Sequence, residues 1–338
     1  MKEKLAVFGL LILSLPAAAE AREISILFMG NSFTFRHELP KLVKQVSEEG
    51  QSDLTVNVEQ ITYGGQDLFR HHDLYFSETA VRLNSITVSE IEEKTATIES
   101  MLAMRKPPAF YSAYFSRSGL KPIRWSGVQK NLKNAVRIQN TLRQRIEKGG
   151  RVKWDYLVLQ SWRDVVDDVD AGYSEYARKW AKIAEKDGIK VILYITAPHA
   201  QNHKPVLQPL ALEQTRMEMK TIQKLAARIK PHAVVPVALG IQSIQEGGTD
   251  LTFRYVNDGH PNQYSAFLTA NMFYAALFGK STEGFAFNTV VENKSKGKGE
   301  GKDPDGGDAK VVFSDDAKVL LQKAAYEAVL EFSAGNED

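Results

Sequence analysis

Five strand-length runs, separated by stretches long enough for helices, restrict this chain more than any other feature. They read ISILFM (Ile24–Met29), LTVNVEQI (Leu54–Ile61), DYLVLQ (Asp155–Gln160), KVILYIT (Lys190–Thr196) and AVVPVAL (Ala233–Leu239). Most are continuously apolar rather than alternating, the pattern of strands covered on both faces. Between and after them, Leu39–Glu49, Tyr173–Lys186, Leu210–Ile229 and Ala317–Phe332 carry helical spacing. Strands alternating with helices demand right-handed crossovers, so the pattern predicts an α/β fold with a mainly parallel sheet and helices on both faces. Sheets of this kind bind ligands outside the carboxyl ends of their strands. The residues just after Met29, Ile61, Leu159, Thr196 and Leu239 are therefore the place to seek chemistry.

Two stretches interrupt the rhythm. Gly65 to Trp154 holds roughly 90 residues, where a crossover needs a few dozen. The excess reads as a helical insertion at about 75–150, with helices over Val88–Met104 and Val128–Glu147 joined by the aromatic PPAFYSAYFSRSG. Within it, Tyr111, Tyr114 and Phe115 form either the inner face of a lid or, the favoured reading, a small core. The other stretch, Asn293–Asp308 (NKSKGKGEGKDPDGGD), has nothing to bury and is expected to be mobile.

Lys2 and Lys4, an apolar Leu5–Pro16 and the small-x-small Ala19-Glu20-Ala21 read as a secretory leader cleaved after Ala21. The apolar part is too short to span a bilayer. Residues 22–338 then form one domain, exported to the periplasm or beyond, with no stable membrane insertion. There is no cysteine, which removes disulfides, thiolate chemistry and Cys-type zinc sites. The net charge of +2 and scattered Lys and Arg give no electrostatic argument for nucleic acid.

Chemistry first shows at Gly30-Asn31-Ser32-Phe33-Thr34, where a buried strand delivers a serine into a turn. Taken alone, Ser32 before a helix reads most simply as an N-cap. Three other blocks belong to the same rim of the sheet: Gly64-Gly65 after the second strand, Gln160 closing the third, and Asn257-Asp258-Gly259-His260-Pro261 before a long apolar helix.

GNSFT, GGxxL, WDYLVLQS and DGHPN, in this order from Ile24 to Gly279 with the insertion as a gap, resemble the SGNH (GDSL-like) hydrolase superfamily. The first block is similar to the branch that reads GNSFT in place of GDS. The resemblance implies a three-layer α/β/α, flavodoxin-like sandwich that hydrolyses carboxylic esters. It makes Ser32 the nucleophile and His260 the base that takes its proton and later protonates the leaving alcohol. The oxyanion would be met by the N–H of Ser32, the N–H of a glycine after the second strand (Gly65 favoured, Gly64 explained by the turn), and the amide of Gln160, which stands where most of the superfamily has Asn. Asn31 takes the place of the GDS aspartate as a supporting residue that holds the turn. One departure matters: the family pattern is Asp-x-x-His, yet three residues before His260 is Asn257, and Asp258 lies only two before. Asp258 is the expected orienting acid, with Asn257 or a Ser-His dyad as alternatives.

Other side chains carry weaker signals. His71, His72, His199 and His203 lack zinc-ligand spacing, and Asp164, Asp167, Asp168 and Asp170 keep no EF-hand spacing, so no metal and no cofactor are expected. Trp162 either lines a pocket or simply packs. The sequence therefore predicts an exported serine hydrolase acting on a small-molecule or polysaccharide ester, O-acetyl groups on carbohydrate among the candidates. The rivals are a catalytically impaired carbohydrate-binding protein on the same scaffold and a flavodoxin-like cofactor binder with GNSFT around a phosphate.

Overall fold

A computed structural model describes residues 22–162, 164–197 and 211–335. The leader at 1–21 and the histidines 199 and 203 lie outside the described residues. Five strands build one parallel sheet: β1 (Arg22–Gly30), β2 (Leu54–Thr62), β3 (Tyr156–Ser161), β4 (Lys190–Ile195) and β5 (Ala233–Pro236), in the order β2-β1-β3-β4-β5. This is the doubly wound order in which the winding reverses between β1 and β3, opening a crevice at their carboxyl ends. The register places Gly30 beside Thr62 on one side and Met29 beside Leu159 on the other.

The helices follow in chain order. After β1 come a single turn, α1 (Ser32–Phe35), and α2 (Leu39–Gly50). The long β2–β3 connection holds α3 (Leu68–Asp73), α4 (Glu78–Val81), α5 (Val88–Leu102), α6 (Ala109–Ser118) and α7 (Trp125–Glu147). Then come α8 (Gly172–Lys186) before β4, α9 (Leu212–Ile229) before β5, and α10 (Val237–Glu246) and α11 (Gln263–Phe278) after it. A short antiparallel pair, β6 (Thr289–Val291) and β7 (Lys310–Val312), precedes α12 (Asp315–Ala334). The α2, α11 and α12 helices cover one face of the sheet, and α8 and α9 lie on the other.

Coverage on both faces explains the unbroken apolar run in β1, where Ile26, Leu27, Phe28 and Met29 are all buried. Phe28 and Tyr194 both meet Phe273 of α11, with ring centroids 5.5 and 5.4 Å apart. That helix is buried almost all round, as befits an element wedged between the sheet and two neighbouring helices.

Two expectations change. The AVVPVAL run is not one strand: β5 stops at Pro236, and α10 starts at Val237. Proline offers no N–H to a ladder and its fixed φ suits a helix entry, so the strand ends where the residue dictates. PPAFYSAYFSRSG is not a bare connection but contains α6, ended by Gly119 at φ +68°. Its Tyr114 stacks on Phe69 at 4.0 Å, with Tyr111 and Phe115 beside the same ring, so these aromatics make a core between insertion and sheet domain. Residues 293–308 form the loop that joins β6 to β7. Asp303 accepts from the N–H groups of Asp305 and Gly307, and Asp305 accepts from those of Val256 (2.8 Å) and Asn257 (2.7 Å). The bonds from Val256 and Asn257 to Asp305 tie it to the 254–261 turn.

Candidate active site

The end of β1 can approach β3 only because residue 30 is glycine. A Cβ there would lie 2.4 Å from Oε1 of Gln160 and 2.6 Å from Oγ1 of Thr34. That closeness lets Oε1 of Gln160 accept from the N–H of Asn31 and the hydroxyl of Thr34, both at 2.9 Å. Asn31 does the capping: its Oδ1 accepts from the N–H of Phe33 at 3.0 Å, while its Nδ2 donates to the carbonyl of Gln66 at 2.8 Å. The sequence offered Ser32 as the cap; the structure gives that work to Asn31 and leaves the serine hydroxyl free of the helix end.

Ser32 instead meets His260, with Oγ 2.8 Å from Nε2, and Nδ1 of His260 lies 2.8 Å from Oδ1 of Asp258. The proton arrangement consistent with both contacts has Nδ1–H donating to the carboxylate and the serine hydroxyl donating to Nε2. Asp258 reaches the ring from two residues away because Gly259 turns the chain at φ +68°. The turn is pinned by the N–H of Tyr255 on the His260 carbonyl (2.9 Å), the N–H of Gly259 on the Tyr255 carbonyl (2.8 Å) and Nε of Arg254 on the Gly259 carbonyl (2.7 Å). Asn257 is exposed, and its backbone faces Asp305; the structure sets Asp258, not Asn257, against the histidine.

The Asp258 side chain has no exposed surface. Burial alone would raise its pKa, but hydrogen bonds from Lys296, Arg36 and His260 outweigh it and bring the group down to about 2. Arg36 donates from Nη1 to Oδ2 at 2.5 Å and from Nε to the buried Glu292 at 2.9 Å, while Nζ of Lys296 contacts Oδ1. No local motif in the sequence marks Arg36, Glu292 or Lys296, since their partners lie far along the chain.

Gly64 and Gly65 form the exposed turn between Tyr63 and Gln66, with Gly65 at φ +67° and open space where a side chain would stand. The Asn31–Gln66 bond ties this loop to the serine turn. Gln160, the expected side-chain donor to the oxyanion, is wholly buried beneath the turn, where its carbonyl accepts from the Asn31 N–H and the Thr34 hydroxyl and so braces the serine turn.

Phe33 touches the His260 ring (centroids 5.8 Å) and stacks on Trp162 (5.5 Å), making that tryptophan part of the wall behind the histidine. A cleft of about 480 Å³ opens at the pair, with Ser32, Phe35 and His260 on one side and residues 293–296 on the other. A larger cavity of about 900 Å³ lies at the amino end of β4 among Arg178, Lys190 and Arg228, away from any of these groups.

The remaining candidates separate. His71 is buried between the Gly30 carbonyl and Ser77 Oγ, each at 2.9 Å, and burial lowers its pKa to about 4. It supports the β1 end as a neutral ring. His72 pairs with Asp73, and Asp170 pairs with Arg178 and Arg228. Among the described residues no group of three or more His, Asp or Glu could hold a metal ion.

No family model matches the chain, and no curated protein matches it. Two solved structures are similar. One, from Bacteroides uniformis, is described as a DUF4886 family protein; it is 15% identical, with a TM-score of 0.47, over 91% of this chain and 95% of that one. The other, from Slackia heliotrinireducens, is described as "a putative SGNH hydrolase"; it is 16% identical, with a TM-score of 0.41, over 76% of this chain and all of the other.

Proposed function

We propose that this chain is an SGNH-type serine hydrolase that cleaves carboxylic esters. The observation that carries the reading is the unbroken line Ser32–His260–Asp258, two contacts of 2.8 Å at the carboxyl edge of the sheet. In this reading, His260 Nε2 takes the hydroxyl proton as Ser32 Oγ attacks the ester carbonyl, and Asp258 holds the ring and stabilises the imidazolium. The N–H of Ser32, first in its helix and so without a helical acceptor, serves the oxyanion together with the N–H of Gly65. Collapse of the intermediate passes the proton from Nε2 to the departing alcohol oxygen and leaves an acyl-serine. Water, deprotonated by the same nitrogen, then releases the acid and restores the serine.

We assign the substrate to O-acyl esters, with acetylated carbohydrate the preferred class. The leader-like residues 1–21 support export, and outside the cytoplasm acylated polysaccharide is an abundant ester. The test is covalent labelling by a fluorophosphonate probe together with hydrolysis of p-nitrophenyl acetate and of acetylated xylan. Wild type labels and turns over, whereas Ser32→Ala does neither and His260→Ala falls to background. Labelling of Ser32→Ala at the wild-type rate would overturn the nucleophile.

A further inference from the structure

The shortened Asp-x-His spacing raises the question of what fixes a carboxylate one residue nearer its histidine than the related pattern has it. Three donor groups, two of them cationic, converge on Asp258. Oδ1 receives both Nδ1 of His260 and Nζ of Lys296, and Oδ2 receives Nη1 of Arg36. Arg36 lies four residues beyond Ser32, and its other nitrogens bind Glu292, just past β6, whose side chain is wholly buried. One guanidinium therefore joins the serine turn, the acid turn and the β6–β7 unit.

Lys296 differs from Arg36. Its side chain is 51% exposed, it sits at the edge of the cleft, and its backbone is left-handed at φ +49°. A non-glycine residue held there needs tertiary contacts to keep it, and the ammonium–carboxylate contact is one. The other charged or titratable groups facing the pair are His37 beside Glu292, Arg254 on the Gly259 carbonyl, Tyr255 under Arg36, and Asp305 on the backbone of 256–257. Arg36 is balanced by Glu292. The charge added at the Asp258–His260 contact itself is that of Lys296.

We propose that Arg36 and Lys296 are positioning residues: Arg36 fixes Asp258 in the rotamer that meets His260, and Lys296 shares Oδ1 and sets how firmly the carboxylate supports the ring. This rests on the reading of His260 as the general base. Arg36 acts as a permanent clamp, because breaking a buried ion pair leaves uncompensated charge. Lys296, at the solvent edge, acts as an adjustable one, since a nearby positive charge disfavours the imidazolium.

The experiment follows the His260 ring by NMR titration, with its signals assigned by their loss in His260→Ala, beside kcat/KM against pH on p-nitrophenyl acetate. Lys296→Met moves the His260 midpoint and the acid limb of the rate profile to higher pH, because the charge that disfavours the imidazolium is gone. Lys296→Arg restores both to wild-type positions. Arg36→Lys lowers kcat at least tenfold with KM little changed, and broadens the Nδ1–H signal. A midpoint unmoved or lowered in Lys296→Met overturns the role of Lys296, and wild-type kcat in Arg36→Lys overturns that of Arg36. If wild type neither labels nor turns over, the esterase reading fails, and the NMR titration and Nδ1–H signal still decide whether the two residues position Asp258.

Discussion

Replacing Asp258 by Asn tests stability and chemistry together, because the same carboxylate supports both. The folded protein holds its pKa near 2 against an ordinary value of 3.8. A depressed acid contributes stability that is fully present above its unfolded pKa and disappears as pH falls through the folded one. The gap of nearly two units corresponds to about 2 kcal/mol at neutral pH, vanishing between about pH 4 and pH 2. Urea unfolding of wild type and Asp258→Asn from pH 7 down to pH 2 therefore gives midpoints that differ at the top of the range and converge at the bottom. In the same variant the carboxamide offers an N–H to Nδ1, which leaves the proton on Nε2 and blocks acceptance from Ser32. Such a tautomer reversal in serine hydrolases costs about 10⁴-fold in rate, or about 5 kcal/mol of barrier. A stability gap that does not change with pH, or a kcat/KM within tenfold of wild type, would refute the reasoning.

Other substitutions separate bracing from catalysis. Gln160→Ala leaves the Asn31 N–H and the Thr34 hydroxyl buried without their acceptor, at about 1–3 kcal/mol each; the urea midpoint falls and fluorophosphonate labelling of Ser32 slows, whereas a midpoint equal to wild type would remove the bracing role. Tyr114→Ala opens a cavity against Phe69 and costs about 3–4 kcal/mol in chemical denaturation, while kcat/KM of the folded fraction stays within a few-fold of wild type; a selective loss of substrate affinity would instead point to a lid.

The sheet was legible because strands covered on both faces must be apolar along their whole length, and Ile26–Met29 and Leu157–Leu159 are. Ser32, His260 and Asp258 were legible because each sits in a short block beside a strand end or helix start. Arg36 was not. Its partners Asp258 and Glu292 are 222 and 256 residues away, and an arginine after a serine turn has no spacing that announces a buried ion pair. Composition has a related limit at 293–308: it reports whether a segment can bury a core, not whether its carboxylates meet the backbone N–H groups of another turn. Gln160 shows the same limit within a recognised block. Its position was clear, but the direction of its carbonyl depended on Gly30 leaving room for it.

The arrangement divides two tasks that a serine at a helix start would otherwise combine. A capping serine directs its oxygen to an N–H two or three residues on, which turns the lone pairs inward and leaves little for a substrate. Here Asn31, one residue earlier, supplies the cap with its Oδ1 and the inter-loop tether with its Nδ2. Its backbone N–H is fixed by Gln160 from the neighbouring strand. The serine turn is thus held from three sides by groups other than Ser32. Its hydroxyl is left with one strong partner, the ring nitrogen of His260, at the point where the winding of the sheet reverses and opens the crevice.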